Sequence, residues 1–139
     1  MIPVKVNMKG FTLIEAMVVV AIIGIIAAVA WHYFDQEKIK NRRTQAISAA
    51  TRIANELQDW HSDRETYVGY AVSPAVANSL TTYTVALSNV TASQYTVTLT
   101  PVGSQADDTD CTTLTLNEKG VKGYTGAAPT AARCWGSTN

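Results

Sequence analysis

Lys9-Gly10-Phe11-Thr12-Leu13-Ile14-Glu15-Ala16-Met17-Val18-Val19-Val20-Ala21-Ile22-Ile23-Gly24-Ile25-Ile26-Ala27-Ala28 is the stretch on which the reading of this chain turns. From Ala16 to Phe34 it continues without a charge. At 1.5 Å per helical residue, that run reaches about 28 Å, close to the roughly 30 Å hydrocarbon core of a bilayer. Lys5 and Lys9 precede it, so the excess of positive charge places the N-terminus in the cytoplasm and the rest beyond the inner membrane. Between Met8 and Phe34 the only charges are Lys9 and Glu15. A carboxylate in a membrane helix costs about 2.5–3.5 kcal/mol on insertion scales, which marks Glu15 as a functional candidate. The plainer alternative is a side chain that snorkels to the interface.

A cleavable secretory signal is the competing reading. Lys5 and Lys9 would form its basic region, Ala16 to Val29 its apolar region, and Ala28-Val29-Ala30 a small-x-small cleavage site that leaves Trp31 first. Glu15 inside the apolar stretch, and a helical pattern that runs past the cut, argue against it.

The quoted stretch closely resembles the class III signal of type IV prepilins. The resemblance implies that a prepilin peptidase cuts after Gly10, that Phe11 becomes the N-methylated first residue, and that the apolar helix stays to anchor the subunit and then pack in the fibre core. It also implies a role for Glu15 in subunit assembly, by pairing with the Phe11 ammonium of a neighbour. Such a buried pair would set register more than add stability. Many members of the family carry Pro near the end of the apolar run, where this chain has His32 between Trp31 and Tyr33. The helix kink or melted segment that Pro would bring is therefore not implied for this chain, and His32 reads as an interfacial aromatic.

Beyond Phe34 the sequence is polar and rich in Thr, Ala and Ser. The 139 residues carry 11 basic and 11 acidic side chains, a formal net charge of zero. That argues against a strongly basic nucleic-acid binder or an acidic tail, and 47% hydrophobic residues argue against disorder. From Asp35 to Trp60 the pattern is an amphipathic helix. Ala46, Ala50, Ile53, Leu57 and Trp60 follow a 4, 3, 4, 3 spacing along one face, with Ile39 before them. No Pro or Gly interrupts residues 25–67, so one helix over about 11–60 is expected, near 75 Å long. The basic run Lys38, Lys40, Arg42 and Arg43 could face phosphates, but it reads better as a solvated face balanced by Asp35 and Glu37.

His61 to Leu80 reads as a connector packed down by Tyr67 and Tyr70. Three alternating segments follow, around Tyr83-Val85-Leu87, Tyr95-Val97-Leu99 and Leu114-Leu116, each with a Thr-rich opposite face. Asn117-Glu118-Lys119-Gly120 reads as a tight turn, leading to a short fourth strand near Val121 to Tyr124. Ala127 to Ala132 reads as a small-residue loop. Cys111 and Cys134 are the only cysteines. Without a nearby His they fall short of a zinc site. They point to one disulfide in an oxidising compartment, the alternative being two buried thiols.

The expected fold is α+β: a long N-terminal helix against an antiparallel sheet of three to four strands. This resembles the pilin fold over essentially the whole chain. The resemblance implies that Cys111 and Cys134 close a C-terminal surface loop, and the segment Asp110 to Asn117 with the ending Cys134-Trp135 looks most like PilE-type minor pilins. The domain organisation it implies is a leader over 1–10, a membrane and fibre-core helix over 11–34, and a globular domain over 35–139.

No Ser-His-Asp arrangement or phosphate-binding Gly-rich loop is present, so an enzyme is not expected, and no cofactor or metal site is expected either. Asp107-Asp108-Thr109-Asp110 lacks the spacing of a calcium loop and reads as a solvated acidic loop. The leading expectation is a structural subunit of a type IV pilus, a minor pilin serving adhesion, twitching motility and fibre assembly. Its expected partners are other pilin subunits, the prepilin peptidase, and an inner-membrane assembly machinery driven by separate ATPases. It would reside in the inner membrane as precursor and then in the extracellular pilus. Two alternatives are a minor pilin that captures DNA for transformation, with Lys119, Lys122 and Arg133 contacting phosphates, and a type II secretion pseudopilin. The cysteine pair favours a pilus over the latter.

Overall fold

The computed structural model describes residues 10–136, apart from the side chain of His32. Residues 1–9, with Lys5, Lys9 and most of the expected leader, lie outside the described residues, as does any packing of His32. The chain divides into two compact units, residues 1–37 and 38–139.

Helix α1 (Leu13–Arg64) begins two residues later than the sequence suggests and ends four residues later. At its start, Thr12 accepts the Glu15 amide at 3.3 Å on Oγ1. Thr12 and Glu15 are spaced as in a capping box, which satisfies an amide that the helix itself leaves unpaired. In the first unit, Leu13, Ile14, Met17 to Val20, Ile22, Ile23, Ile25, Ile26 and Val29 are all exposed. The helix is long and apolar enough to cross a membrane. At its far end no glycine is available. Glu65 instead takes the left-handed conformation, with φ +55°, and its amide closes on the His61 carbonyl at 2.7 Å. His61 and Arg64 fall in the last turn, where cationic groups suit the carbonyl end of a helix.

The second unit contains β1 (Tyr83–Ser88), β2 (Thr96–Pro101), β3 (Thr113–Asn117) and β4 (Lys122–Thr125). They form one antiparallel meander in chain order, so the fourth strand is present. The register sets Val85 opposite Leu99 and Leu87 opposite Val97, then Val97 opposite Leu116 and Leu99 opposite Leu114. Val97, Leu99, Leu114 and Leu116 are buried, and Ala46, Ala49, Ala50, Ile53 and Leu57 of α1 join the same core. Trp60, the last member of the expected stripe, is half-buried instead. Its Nε1 is buried and has no hydrogen-bond partner among the described residues. The opposite face of the sheet carries Thr rows, including Thr84 opposite Thr100 and Thr98 opposite Thr115.

The connector after α1 holds a short helix, α2 (Pro74–Ala77), begun by proline at its first position. Tyr67 is buried, edge-on to Tyr95 at 4.8 Å. Tyr70 donates to Glu56 at 2.7 Å. The turn over Asn117–Gly120 forms as expected: Gly120 has φ +73° and its amide bonds the Asn117 carbonyl at 3.0 Å. Asn117 Oδ1 also accepts the amides of Lys119 and Val121. The expected small-residue loop is partly helical, because α3 (Ala131–Trp135) begins inside it.

Candidate functional site

In the first unit, Gly10 is exposed and a Cβ added there would meet nothing within 4 Å. Phe11 is exposed and precedes the helix. Glu15 lies in the first helical turn, also exposed, with its amide held by Thr12. These residues present an open backbone followed by an unpacked apolar helix that carries one carboxylate near its start.

In the second unit, the three basic residues expected to act together have different surroundings. Lys119 is exposed in the β3–β4 turn. Lys122 opens β4, and its Nζ lies 5.8 Å from the centroid of the Trp135 ring. Trp135 is buried and donates from Nε1 to the Gly123 carbonyl at 2.9 Å, so α3 lies along β4. Arg133 on α3 is exposed but pairs with Asp110 at 3.0 Å. Asp110 precedes β3 and Lys119 follows it, so five residues of strand, roughly 15 Å, separate their ends. The cations thus run along the β4 and α3 edge rather than forming one cluster, and Arg133 already faces a carboxylate.

Cys111 and Cys134 form a disulfide. Closing a loop between positions 23 apart stabilises by about 3 kcal/mol in the chain-entropy model. Beside it lies a polar network that the sequence does not announce. Arg43 donates from Nε to Asp108 Oδ2 at 3.0 Å and also from Nη2. Gln105 Nε2 donates to the Ile39 carbonyl, to the Tyr83 hydroxyl and to Asp108. The Asp108 side chain is 3% exposed and that of Arg43 is 11% exposed. This corrects two expectations. Asp108 is not part of a solvated loop, and the basic run of α1 is not wholly a solvated face, because Arg43 turns inward and Arg42 donates to Ser104 at 2.8 Å. The physical reason is mutual. A buried carboxylate needs a cation and donors, and a buried guanidinium needs a carboxylate.

Burial raises the hydroxyl pKa of Tyr70, Tyr83 and Tyr95. For Tyr70 the hydrogen bond and charge of Glu56 push it further up. Around Tyr83, the Gln105 donor and Arg43 oppose the rise. Among the described residues, no three His, Cys, Asp or Glu side chains converge on a metal-sized site. The Thr12–Glu15 spacing could have been read from the sequence. The Arg43–Asp108 pair could not, since its members stand 65 positions apart.

Residues 34–115, more than half of the chain, match the family described as type IV minor pilin ComP, DNA uptake sequence receptor. Residues 5–31 match the prokaryotic N-terminal methylation motif. The type IV major fimbrial protein FimA of Dichelobacter nodosus is 36% identical over 73 residues, covering 50% of this chain and 47% of that protein. The fimbrial protein EcpC of Eikenella corrodens is 38% identical over 56 residues, covering 40% and 37%. The chain therefore matches less than half the length of these curated relatives. Among solved structures, the non-core minor pilin PilV of Neisseria meningitidis superposes with a TM-score of 0.53 at 19% identity, over 68% of this chain and 94% of that one. At that identity the likeness is one of fold.

Proposed function

We propose that this chain, which belongs to the type IV minor pilin family, is a structural subunit of a type IV pilus. The observation that carries this reading is the exposed apolar run after Gly10, whose one formal charge is the carboxylate of Glu15. An apolar helix face of this length has to be covered, first by lipid and then by the same helices of neighbouring subunits. The prepilin peptidase cuts after Gly10, whose open backbone suits a protease at the membrane surface, and Phe11 then carries the methylated ammonium. Glu15 of one subunit pairs with the Phe11 ammonium of the next, so that neither charge is left alone in an apolar fibre core. The inner-membrane assembly machinery moves the subunit from the membrane pool into the extracellular fibre, which serves adhesion and twitching motility.

Mass spectrometry of sheared surface fibres tests this, by reading the chain's N-terminus and its share of fibre protein. A methylated Phe11 at trace abundance supports a minor pilin, and the same terminus at high abundance makes it a major one. A terminus at Trp31, found only in soluble periplasmic protein, refutes the reading. A chain needed for enzyme secretion but not for fibres would be a pseudopilin.

A second reading is favoured by the family match over 34–115, whose description names a receptor for DNA uptake sequences. On this reading the pilus subunit also captures DNA, with Lys119 and Lys122 meeting phosphates and Arg133 joining when it leaves Asp110. All three lie beyond the matched stretch. Each phosphate contact steepens the salt dependence of binding by about 0.9 in log–log slope. Lys119→Gln with Lys122→Gln is expected to flatten that slope by about 2 for the full chain in detergent micelles on duplex DNA. Absence of any salt-sensitive binding excludes this role and leaves the structural one intact.

A further inference from the structure

Contacts that need no sulfur–sulfur bond hold the flanks of Cys111 and Cys134 together. One guanidinium reaches both. Arg43 donates from Nε to Asp108 at 3.0 Å and from Nη1 to the carbonyl of Arg133 at 3.3 Å. Asp108 stands three residues before Cys111, and its second oxygen accepts the Cys111 amide at 3.3 Å. Arg133 is the residue immediately before Cys134. The residues next to the two cysteines are themselves paired, Arg133 with Asp110 at 3.0 Å. The amides of Ala127 and Ala128 bond the carbonyls of Thr109 and Asp110, both at 3.0 Å. A side chain at Gly126, which has φ +132°, would fall on the Asp110 carbonyl, so this close approach needs glycine.

We propose that Arg43 is a positioning residue for disulfide closure, holding Cys111 and Cys134 side by side in the reduced chain. Closure itself needs a disulfide oxidant, such as glutathione disulfide. One sulfur–sulfur bond of the oxidant breaks, and one forms between Cys111 and Cys134. Two electrons pass from the cysteine sulfurs to the oxidant, which leaves as two thiols carrying the two cysteine protons. Arg43 takes no part in the transfer. It meets the cost of bringing distant positions together before the bond exists, which raises the effective concentration of one thiol at the other.

Equilibration of the full chain with glutathione buffers in detergent micelles, with the oxidised fraction read by alkylation and mass spectrometry, gives that effective concentration. Arg43→Met is expected to lower it at least tenfold. Arg43→Lys is expected to lower it as well, because an ammonium cannot bridge both flanks. Arg52→Met, on the same helix but paired with Glu56, is expected to stay within twofold of the unaltered chain. The proposal is overturned if Arg43→Met stays within twofold, or if Arg52→Met falls as far. Should Arg43→Met fail to fold, the combined Cys111→Ser and Cys134→Ser variant decides. Protection of the position 111 amide from hydrogen exchange is expected to survive there, and its loss would refute the role of Arg43.

Discussion

Asp108→Ala and Asp110→Ala remove carboxylates two residues apart, in a segment that reads as uniformly solvated from sequence. Their environments differ: the Asp108 side chain is 3% exposed and that of Asp110 is 42% exposed. Losing Asp108 leaves the Arg43 guanidinium, 11% exposed, without its carboxylate. Breaking a buried pair by removing one partner costs about 3–5 kcal/mol. Residual access of water to Arg43 places this case near the lower end, about 3 kcal/mol. For a unit of about 100 residues that corresponds to a fall in Tm of roughly 12–24 °C. Losing Asp110 breaks an exposed pair with Arg133, worth about 0–1 kcal/mol and weakened by salt. Urea titration of the full chain in micelles, with the disulfide intact, measures both. At 0.5 M salt, the effect of Asp108→Ala is expected to persist while that of Asp110→Ala fades. Equal shifts for the two variants, or a larger one for Asp110→Ala, would refute the assignment of Asp108 as the buried member.

Leu57→Ala empties a fully buried position between α1 and the sheet, with an expected loss of about 2–5 kcal/mol in the same titration. Thr12→Ala removes the acceptor of the Glu15 amide and is expected to cost about 1 kcal/mol, seen as faster hydrogen exchange confined to the first turn of α1. The pKa values of Tyr70, Tyr83 and Tyr95 are raised above 10, so the folded state holds protons that the unfolded chain has released. Stability is therefore full below pH 10 and falls as pH climbs above it, as urea midpoints between pH 8 and 11 would register. Tyr70→Phe is expected to make that fall shallower while losing about 1 kcal/mol at neutral pH with the Glu56 bond. If the edge of β4 and α3 binds DNA with Arg133 drawn from Asp110 to a phosphate, Arg133→Gln is expected to flatten the salt slope by about 0.9. An unchanged slope would remove Arg133 from the contact set.

Periodic burial is legible because it repeats. Ala46, Ala50, Ile53 and Leu57 recur at the helical spacing and are all fully buried, and the alternation of β2 and β3 places their apolar residues inward. The Asn117–Gly120 turn is legible because few residues other than glycine tolerate a positive φ. The end of α1 is less so. The helix stops at Arg64 without the usual glycine, where the exposed Glu65 takes a left-handed conformation that its residue type does not announce. The capping role of Thr12 was present as a spacing but overshadowed by the apolar run beside it. The network around Asp108 had no local signal. Whether one aspartate in a run is buried depends on an arginine 65 positions earlier, and neither residue type is expected in a core until both arrive.

That pairing bears on what a chain of zero net charge can do with its surface. A polyanion binds only where cations outnumber the carboxylates within a Debye length, about 8–10 Å in ordinary salt. In the second unit several carboxylates are already committed: Asp108 to Arg43, Asp110 to Arg133, and Glu56 to Arg52 and Tyr70. Each commitment also binds a cation, so the number of basic residues overstates the number available. Arg43 is removed from the surface and Arg42 leans on Ser104. The basic run of α1 is thus mainly architectural at its end, fixing the β2–β3 connection and, through it, the cysteines. On the proposed DNA reading, phosphates are met at the β3–β4 hairpin, where Lys119 and Lys122 are exposed on either side of Gly120. Phosphate contacts of this kind attract and position but do not read a sequence, which takes groups placed against base edges. On the proposed DNA reading, sequence preference would therefore come from polar side chains of neighbouring loops, with the lysines supplying attraction and register.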